Sequence, residues 1–334
     1  MILVTGATGF LGSYLCKYLL QNNLPVRAIK RATSKLDLLA GYAQKIDWVE
    51  ADLLDIVQLK DAFEGVTHVY HCAAMVSFDP KKDKEMYEVN FKGTANIVNL
   101  CLHYNIEKLC YASSVAAIGK ATSNTPITEK VEWTESKLNY QYAKTKHLAE
   151  LEVWRGIAEG LNAVMVNPSM IVGAGYWDTG TCRMFKKLAG GMRICPPGAN
   201  DFVDVRDVAK IMIKLMNSDI HSERFIVSNE KFNYLDLFNS INNHFDNKPI
   251  TKTTSPLLAK FAYYADKVRT ALTNAEPLIT KPTLDLINQS YHYSNEKLLK
   301  AIDHTFYSKE ETITDTCKAY LRSKEEGKDF GTIL

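Results

Sequence analysis

No CxxC pair, no HExxH and no other metal-ligand spacing occurs in this sequence of 334 residues. Its seven cysteines, Cys16, Cys72, Cys101, Cys110, Cys182, Cys195 and Cys317, are odd in number and scattered. That pattern argues against a disulfide framework and a zinc site, and for free thiols in a reducing, cytoplasmic compartment. No run approaches the ~20 apolar residues that a bilayer helix needs. The nearest, Leu257–Leu272, contains Lys260, Asp266, Lys267 and Arg269, and is expected as an amphipathic helix packed on a protein core. A secretory leader is not expected, because Ile2-Leu3-Val4 gives way to glycine at residue 6. There is no long basic run and the net charge is only +2, so neither nucleic acid nor a membrane is expected as a partner. With 17 glycines, 10 prolines, 46% apolar and 23% charged residues, the composition is that of an ordinary globular chain, not a disordered or fibrous one. The length suits about two domains, or one large domain with an appended lobe.

What the first half does contain is an alternation. Short β-branched runs at Ile2–Thr5, Val26–Lys30, Ile46–Glu50, Val66–His71, Leu109–Ser113 and Ala163–Asn167 read as buried strands. Helical patterns lie between them. Leu11, Tyr14, Leu15, Tyr18 and Leu19, for example, share one helix face. Strand-helix alternation predicts an α/β fold with a parallel sheet and right-handed crossovers. After Pro168 the texture changes to a glycine- and proline-punctuated region. Asp204 is a candidate cap for a following helix, a strand is expected near Phe225–Ser228, and Asn233 is expected to cap a helix over Tyr234–Phe245. The expected division is a nucleotide-binding domain over 1–168, with a return segment about 201–228, and a smaller lobe built from 169–200 and 229–334.

The first strand runs into Thr5-Gly6-Ala7-Thr8-Gly9-Phe10-Leu11-Gly12, and a helix follows at once. A tight turn after a strand favours residues without a Cβ. Amides at the start of the next helix then point at a pyrophosphate, whose charge the helix dipole favours. Gly12 lets that helix pack close to the sheet. The spacing is GxxGxxG, not the commoner GxGxxG. At the end of the second strand, Arg27-Ala28-Ile29-Lys30-Arg31 carries cations, and no acid occurs between Gly12 and Asp37. A carboxylate there would suit the ribose 2′-hydroxyl of NAD, whereas cations suit a 2′-phosphate. Either Arg31 faces such a phosphate or Lys30 and Arg31 are solvated surface charges.

Further landmarks follow in order: Asp52-Leu53 after the third strand, His71-Cys72-Ala73-Ala74 after the fourth, Ser113-Ser114 after the fifth, and Tyr-x-x-x-Lys on the next helix. With the glycine loop, they resemble the extended short-chain dehydrogenase/reductase family, and the resemblance covers most of the chain. It implies a Rossmann-type doubly wound sheet with a smaller, helix-rich C-terminal substrate lobe, and a cofactor held by Thr5, Gly6, Thr8, Gly9, Phe10, Leu11, Gly12, Ala73 and Ala74. Asp52 and Leu53 fall where the family meets the adenine, although Asp52 could instead cap a helix. Arg31 matches a phosphate-binding arginine of plant dihydroflavonol reductases, so NADP(H) is favoured and NAD(H) stays open. Backbone at Pro168 and Ser169 is expected near the nicotinamide carboxamide. Asn90 is expected to support helix and site geometry, and His71 to make a local hydrogen bond or packing contact.

Two overlapping pairs, Tyr140/Lys144 and Tyr142/Lys146, cannot share a face, because residues two apart differ by about 200° around a helix. The family pattern Tyr-x-x-Thr-Lys-x-x-Ala-Glu fits only the Tyr142 register. Tyr140 and Lys144 are then expected on the outer face. Tyr142, Lys146 and Ser114 are the implied catalytic residues, with Ser114 preferred over Ser113 by its distance from Gly119. A phenol of pKa ~10 needs help to work as an acid-base near neutrality. One ammonium about 4 Å away supplies roughly 4 kcal/mol at an effective dielectric of ~20, enough to lower that pKa by about three units. The overall look is nearest the dihydroflavonol reductase and 3β-hydroxysteroid dehydrogenase branch, which implies reduction of a small-molecule carbonyl or oxidation of the matching alcohol. Val115-Ala116 replaces the Asp-Glu of sugar-nucleotide dehydratases, and Met165-Val166-Asn167-Pro168 replaces the Arg-Tyr-Phe-Asn run of many sugar-nucleotide epimerases. An epimerase and a non-catalytic cofactor sensor remain the alternatives. Helices near 85–104 and 136–159 resemble the family's dimer bundle, which implies a homodimer with apolar surface from Val153, Trp154 and Ile157.

Overall fold

The computed structural model describes residues 1–120, 125–136, 139–273 and 291–333. Its strands are β1 (Ile2–Thr5), β2 (Val26–Lys30), β3 (Asp47–Glu50), β4 (His68–His71), β5 (Lys108–Ala112), β6 (Ala163–Pro168), β7 (Met170–Val172), β8 (Ala199–Asp204), β9 (Glu223–Val227) and β10 (Glu230–Asn233). The main sheet is parallel throughout, in the order β3-β2-β1-β4-β5-β6-β9. The chain reverses its direction of travel across the sheet between β1 and β4. That switch point opens a crevice at the carboxyl ends of the strands, where sheets of this type bind ligands. Every residue of β5 and β6 is buried, which is why Leu109–Ala112 and Ala163–Val166 read as apolar runs and not as alternation.

Helices cover both faces. Tyr14, Leu15 and Leu19 of α1 (Phe10–Gln21) and Val208, Ile211 and Leu215 of α7 (Val205–Met216) pack with Val4, Ala28 and Cys110. On the other face, α2 (Ile56–Phe63), α4 (Gly93–His103), which follows the short α3 (Asp83–Tyr87), and α5 (Gln141–Ala158) pack on Leu3, Val69, Leu109 and Met165. Consecutive β5 residues divide between these cores, as a period of two requires. A second sheet, β10-β8-β7, builds the smaller lobe with α6 (Cys182–Ala189), α8 (Tyr234–Asn243) and the helix Lys309–Glu325. Its core holds Trp177, Phe185, Phe202, Phe232 and Tyr320. Segment 201–228 therefore divides: β8 joins the small sheet, while α7 and β9 complete the large one.

Asp204 caps α7 by accepting from the Arg206 amide, and Asn233 caps α8 by accepting from Asp236, both as expected. The cap of α2 is Asp55, not Asp52, because Asp55 accepts from the Val57 and Gln58 amides. The helix expected from residue 136 begins at Gln141, and positions 137 and 138 lie outside the described residues. Val153 is fully buried against the sheet, so it offers no outward apolar surface; its side chain is spent on the core. The helix expected near Leu257–Leu272 forms as α9 (Pro256–Thr273), but its large apolar side chains face outward and do not pack on a core.

One buried ion pair ties α5, β6 and β9 together. Glu150 of α5, 1% exposed, meets Arg224 of β9 at 3.0 Å, and its other oxygen accepts from Asn167 of β6. Removing one partner of such a pair strands the other charge. Arg224→Met is therefore expected to cost about 3 kcal/mol in urea unfolding, and the double variant Arg224→Met/Glu150→Leu to recover most of it. Equal loss in both would show that the charges are solvated in the native protein.

Candidate active site

The glycine loop between β1 and α1 is shaped by contacts that no side chain could share. Gly6 has φ +69°, and a Cβ there would stand 2.6 Å from the Ala73 amide nitrogen. A Cβ on Gly12 would stand 2.2 Å from the Gly6 carbonyl oxygen. Gly9 occupies the N-cap of α1, no side chain caps that helix, and no acid lies in its first turn. Amides at this N-terminus are thus available to an anion, and the helix dipole favours one there. The loop fits a dinucleotide pyrophosphate by its shape and donors.

Thr5 is committed within the protein. Its hydroxyl is 2.6 Å from His71 Nδ1 and accepts from the Ala73 amide at 3.2 Å. The other imidazole nitrogen lies 3.0 Å from the Thr94 hydroxyl, which donates to the Asn90 carbonyl at 2.6 Å. Because the Thr94 hydrogen is used there, His71 Nε2 is assigned as the donor and Nδ1 as the acceptor from Thr5. Burial, with Lys146 nearby adding to it, pushes His71 down to about 3, so the ring stays neutral. Asn90, in a single π-helical turn before α4, clasps Met75 through both backbone groups and donates to Thr145 of α5 at 3.1 Å. A chain of hydrogen bonds thereby runs from the glycine-loop strand to the helix that carries the candidate tyrosine. Asn90 supports geometry, as expected, and His71 is a local hydrogen-bonding group.

Arg31 is exposed just beyond β2, in a turn closed by Ser34. Lys30 pairs with Glu50 at 3.8 Å, whereas Arg31 has no ion pair among the described residues. Asp52 accepts from the Leu54 amide. Leu53 packs on the start of α4 beside Gly93. Ser113 Oγ, Ser169 Oγ and Asn167 Oδ1 are buried at the ends of β5 and β6 without a hydrogen-bond partner. Orphaned polar atoms lining a crevice are what a bound polar ligand would satisfy.

Ser114 caps the 3-10 turn Val115–Ala117, its hydroxyl oxygen accepting from the Ala116 amide at 3.1 Å. Its own hydrogen is left to donate. Burial raises the Tyr142 phenol above its usual range, and a hydrogen bond with Ser114 opposes that rise. The two expected site residues therefore meet. Lys146 is 1% exposed and donates to the Tyr111 hydroxyl at 2.9 Å and to the Ala112 carbonyl at 2.8 Å. Burial holds its ammonium down to about 8, against the opposing pull of Glu150 and Cys72. The expectation that Lys146 lowers the Tyr142 pKa is not met within the chain itself: burial dominates the phenol, and the ammonium is directed at the end of β5.

Lys144 lies outward and pairs with Glu135 at 3.5 Å. Tyr140 does not lie on the outer face. It is the N-cap of α5, in extended conformation, with its ring 5.2 Å from Phe78 and 6.2 Å from Tyr142. Tyr234 and Tyr291 are its electrostatic neighbours, and Lys120 stands 5.9 Å above its ring. The surface beside the Tyr142 phenol is thus strongly aromatic. Sequence reasoning missed this cluster and Tyr111. The period of two along β5 was the available signal for Tyr111, since it puts residue 111 on the α5 side. No cluster able to hold a metal ion occurs among the described residues.

The pattern of the NAD dependent epimerase/dehydratase family matches residues 2–228. The chain is 34% identical over 234 residues to "Sterol demethylase protein B" of Methylococcus capsulatus, covering 68% of this chain and 69% of that one. It is 30% identical over 311 residues to a "Putative dihydroflavonol 4-reductase" of Synechocystis, covering 90% and 88%. The solved UDP-glucose 4-epimerase of Thermotoga maritima shares the fold, with a TM-score of 0.79 over 97% of this chain and 99% of that one at 17% identity. With a Rossmann sheet, a glycine cradle and a family match spanning both, the chain belongs to the NAD-dependent epimerase/dehydratase family of extended short-chain dehydrogenases/reductases, enzymes that act on CH–OH and C=O groups.

Proposed function

We propose that the protein reduces the carbonyl of a small, flat or apolar compound, with NADP(H) as its preferred cofactor and Ser114, Tyr142 and Lys146 as its catalytic residues. The observation that carries this reading is that Tyr142, one turn before buried Lys146 on α5, lies within hydrogen-bonding reach of Ser114 at the carboxyl end of β5. A reduced nicotinamide, when bound, supplies the hydride. Ser114 donates to the substrate oxygen as charge develops there. Tyr142 gives that oxygen a proton. A phenol raised by burial holds its proton at neutral pH, which suits an acid in the reductive direction. Lys146 spends two of its three N–H donors on Tyr111 and Ala112 and keeps one for a ribose hydroxyl. Gly6, Thr8, Gly9, Phe10, Leu11 and Gly12 would hold the pyrophosphate chiefly by backbone. Ala73, Ala74, Asp52 and Leu53 would flank the adenosine half, and Pro168 and Ser169 the carboxamide. Phe78, Tyr140, Tyr234 and Tyr291 favour a flat or apolar substrate over a sugar nucleotide. Pairing of two chains along α4 and α5 belongs to the same reading, with Leu151, 48% exposed, as the outward apolar group and Trp154 half-buried against the core.

Incubation with NADPH and a panel of aldehydes and ketones, and separately with UDP-sugars, tests the assignment. Net loss of NADPH with a carbonyl compound is expected. A sugar interconverted with no net change in cofactor would instead make the protein an epimerase, and binding without turnover a sensor. Tyr142→Phe is expected to lower kcat by roughly 10²–10⁴-fold with NADPH affinity nearly unchanged. Tyr140→Phe keeps its ring stacking and should lose only a few-fold. The reverse result would place the acid in the other register.

Cofactor choice rests on Arg31. Arg31→Ala should raise the KM for NADPH on the order of 10–100-fold, the worth of a charge-assisted hydrogen bond, and leave the KM for NADH unchanged. Equal effects on both would remove the 2′-phosphate from the argument.

The lysine predicts a pH limb. Its folded pKa is depressed to about 8, so the ammonium is present below that pH and lost above it. The kcat/KM for reduction should therefore fall as pH rises through about 8. Tyr111→Phe removes an acceptor that stabilises the charged amine, so the limb should move to lower pH. A limb that stays fixed would mean Tyr111 serves packing alone.

A further inference from the structure

Helix α9 is built inside out for a helix of a globular lobe. Its 18 residues span about 27 Å. Leu257, Phe261, Val268 and Leu272 are 81%, 72%, 59% and 81% exposed, and Tyr264 is 62% exposed. At about 100° per residue these five lie within an arc of roughly 80°. The inward positions are small or polar: Ala259 and Asp266 are the buried ones. A helix held by core packing does the opposite. An apolar stripe of this length, kept in water by a sequence that could have turned it inward, marks a contact surface.

The charges say what covers it. Lys260 and Lys267 line one edge of the stripe and Arg269 the other by the same helical geometry. From 247 to 273 the chain carries Lys248, Lys252, Lys260, Lys267 and Arg269 with one acid, Asp266. That acid is turned inward, 6% exposed at its side chain, and paired with Arg269 at 2.8 Å. Thr254 donates to the Cys195 carbonyl at 2.7 Å, which brings exposed Arg193 and Ile194, the latter 63% exposed, beside the start of the helix. A second copy of this chain docked face to face by a two-fold axis would set cationic edge against cationic edge, and the one acid among residues 247–273 is turned inward. An apolar face rimmed by cations matches an anionic lipid surface, where the stripe enters the headgroup boundary and the lysine stems reach the phosphates. No helix among the described residues is long and apolar enough to cross a membrane, so the contact is one of lying on the surface.

We propose that α9 is an interfacial helix that seats Leu257, Phe261, Val268 and Leu272 in the headgroup region of an anionic bilayer. This proposal departs from the expectation of no membrane partner, and it stands apart from the reading of the catalytic site. Vesicle flotation tests it, using phosphatidylcholine vesicles with and without phosphatidylglycerol. The full chain should float with the anionic vesicles and remain in solution with the neutral ones. Each of Lys260→Gln and Lys267→Gln should weaken binding roughly fivefold, and added salt should weaken it further. Phe261→Asp and, separately, Leu272→Asp should abolish flotation while thermal unfolding stays unchanged, since both side chains are exposed. The proposal is overturned if the protein floats with neither vesicle, if it floats equally with both, or if neither aspartate variant affects flotation. It is also overturned if vesicle-free protein is a dimer that Phe261→Asp splits, because a second copy then covers the stripe.

Discussion

An ammonium group can persist 1% exposed at the end of β5 only because the chain supplies it with oxygen on more than one side. The Ala112 carbonyl and the Tyr111 hydroxyl take two of its hydrogens, and Glu150, one turn further along α5, opposes its desolvation. Burial still dominates and brings the amine down to about 8, so the balance is close. Much of the surrounding architecture exists to hold that balance. Arg224 and Asn167 pin Glu150, and Thr94 lies within hydrogen-bonding reach of the Tyr111 phenol. His71, Thr5 and Asn90 then carry the same network back to the glycine loop and across to Thr145. The candidate cofactor cradle and the candidate acid are thus parts of one buried polar structure, in which partial satisfaction would be costly.

The features legible in the sequence are those whose constraint is local. Gly6 and Gly12 are required by backbone approaches within one turn of chain, so their spacing carries the information. Asp204 and Asn233 cap the helices that immediately follow them. Strand positions are legible because Leu109–Ala112 of β5 and Ala163–Val166 of β6 are buried on both faces and apolar throughout. The Asp52 region shows the limit of such reading: two aspartates three residues apart are equally good caps by type, and only the backbone decides for Asp55.

What was not legible depends on contacts far apart in sequence. Arg224 is separated from Glu150 by 74 residues, and nothing in either segment announces the other. Helical rotation, extrapolated to a residue that precedes the helix, puts Tyr140 outward. Its extended backbone turns the ring toward Phe78 and Tyr142 instead. For α9, periodicity established that one side is apolar but not whether that side meets protein or solvent. Amphipathicity is symmetric in this respect. The inward choice of Ala259 and Asp266 over Phe261 and Leu272 is a property of the lobe it rests on.

Desolvation moves the two central groups apart, the Tyr142 phenol upward and the Lys146 amine downward. Both changes favour the neutral form, because both side chains leave water for the same crevice. At neutral pH the phenol keeps its proton securely, while the amine, below its pKa of about 8, still carries its charge. A site in that condition is ready to give a proton to a developing alkoxide and poorly placed to take one from an alcohol. Oxidation would need the phenolate, which burial opposes and which only added positive charge beside the ring could favour. The chain's own electrostatics keep the phenol in its acid form, the form that the proposed reduction uses. The proposed reductive reading draws on both features, the buried phenol and the exposed cation beyond β2.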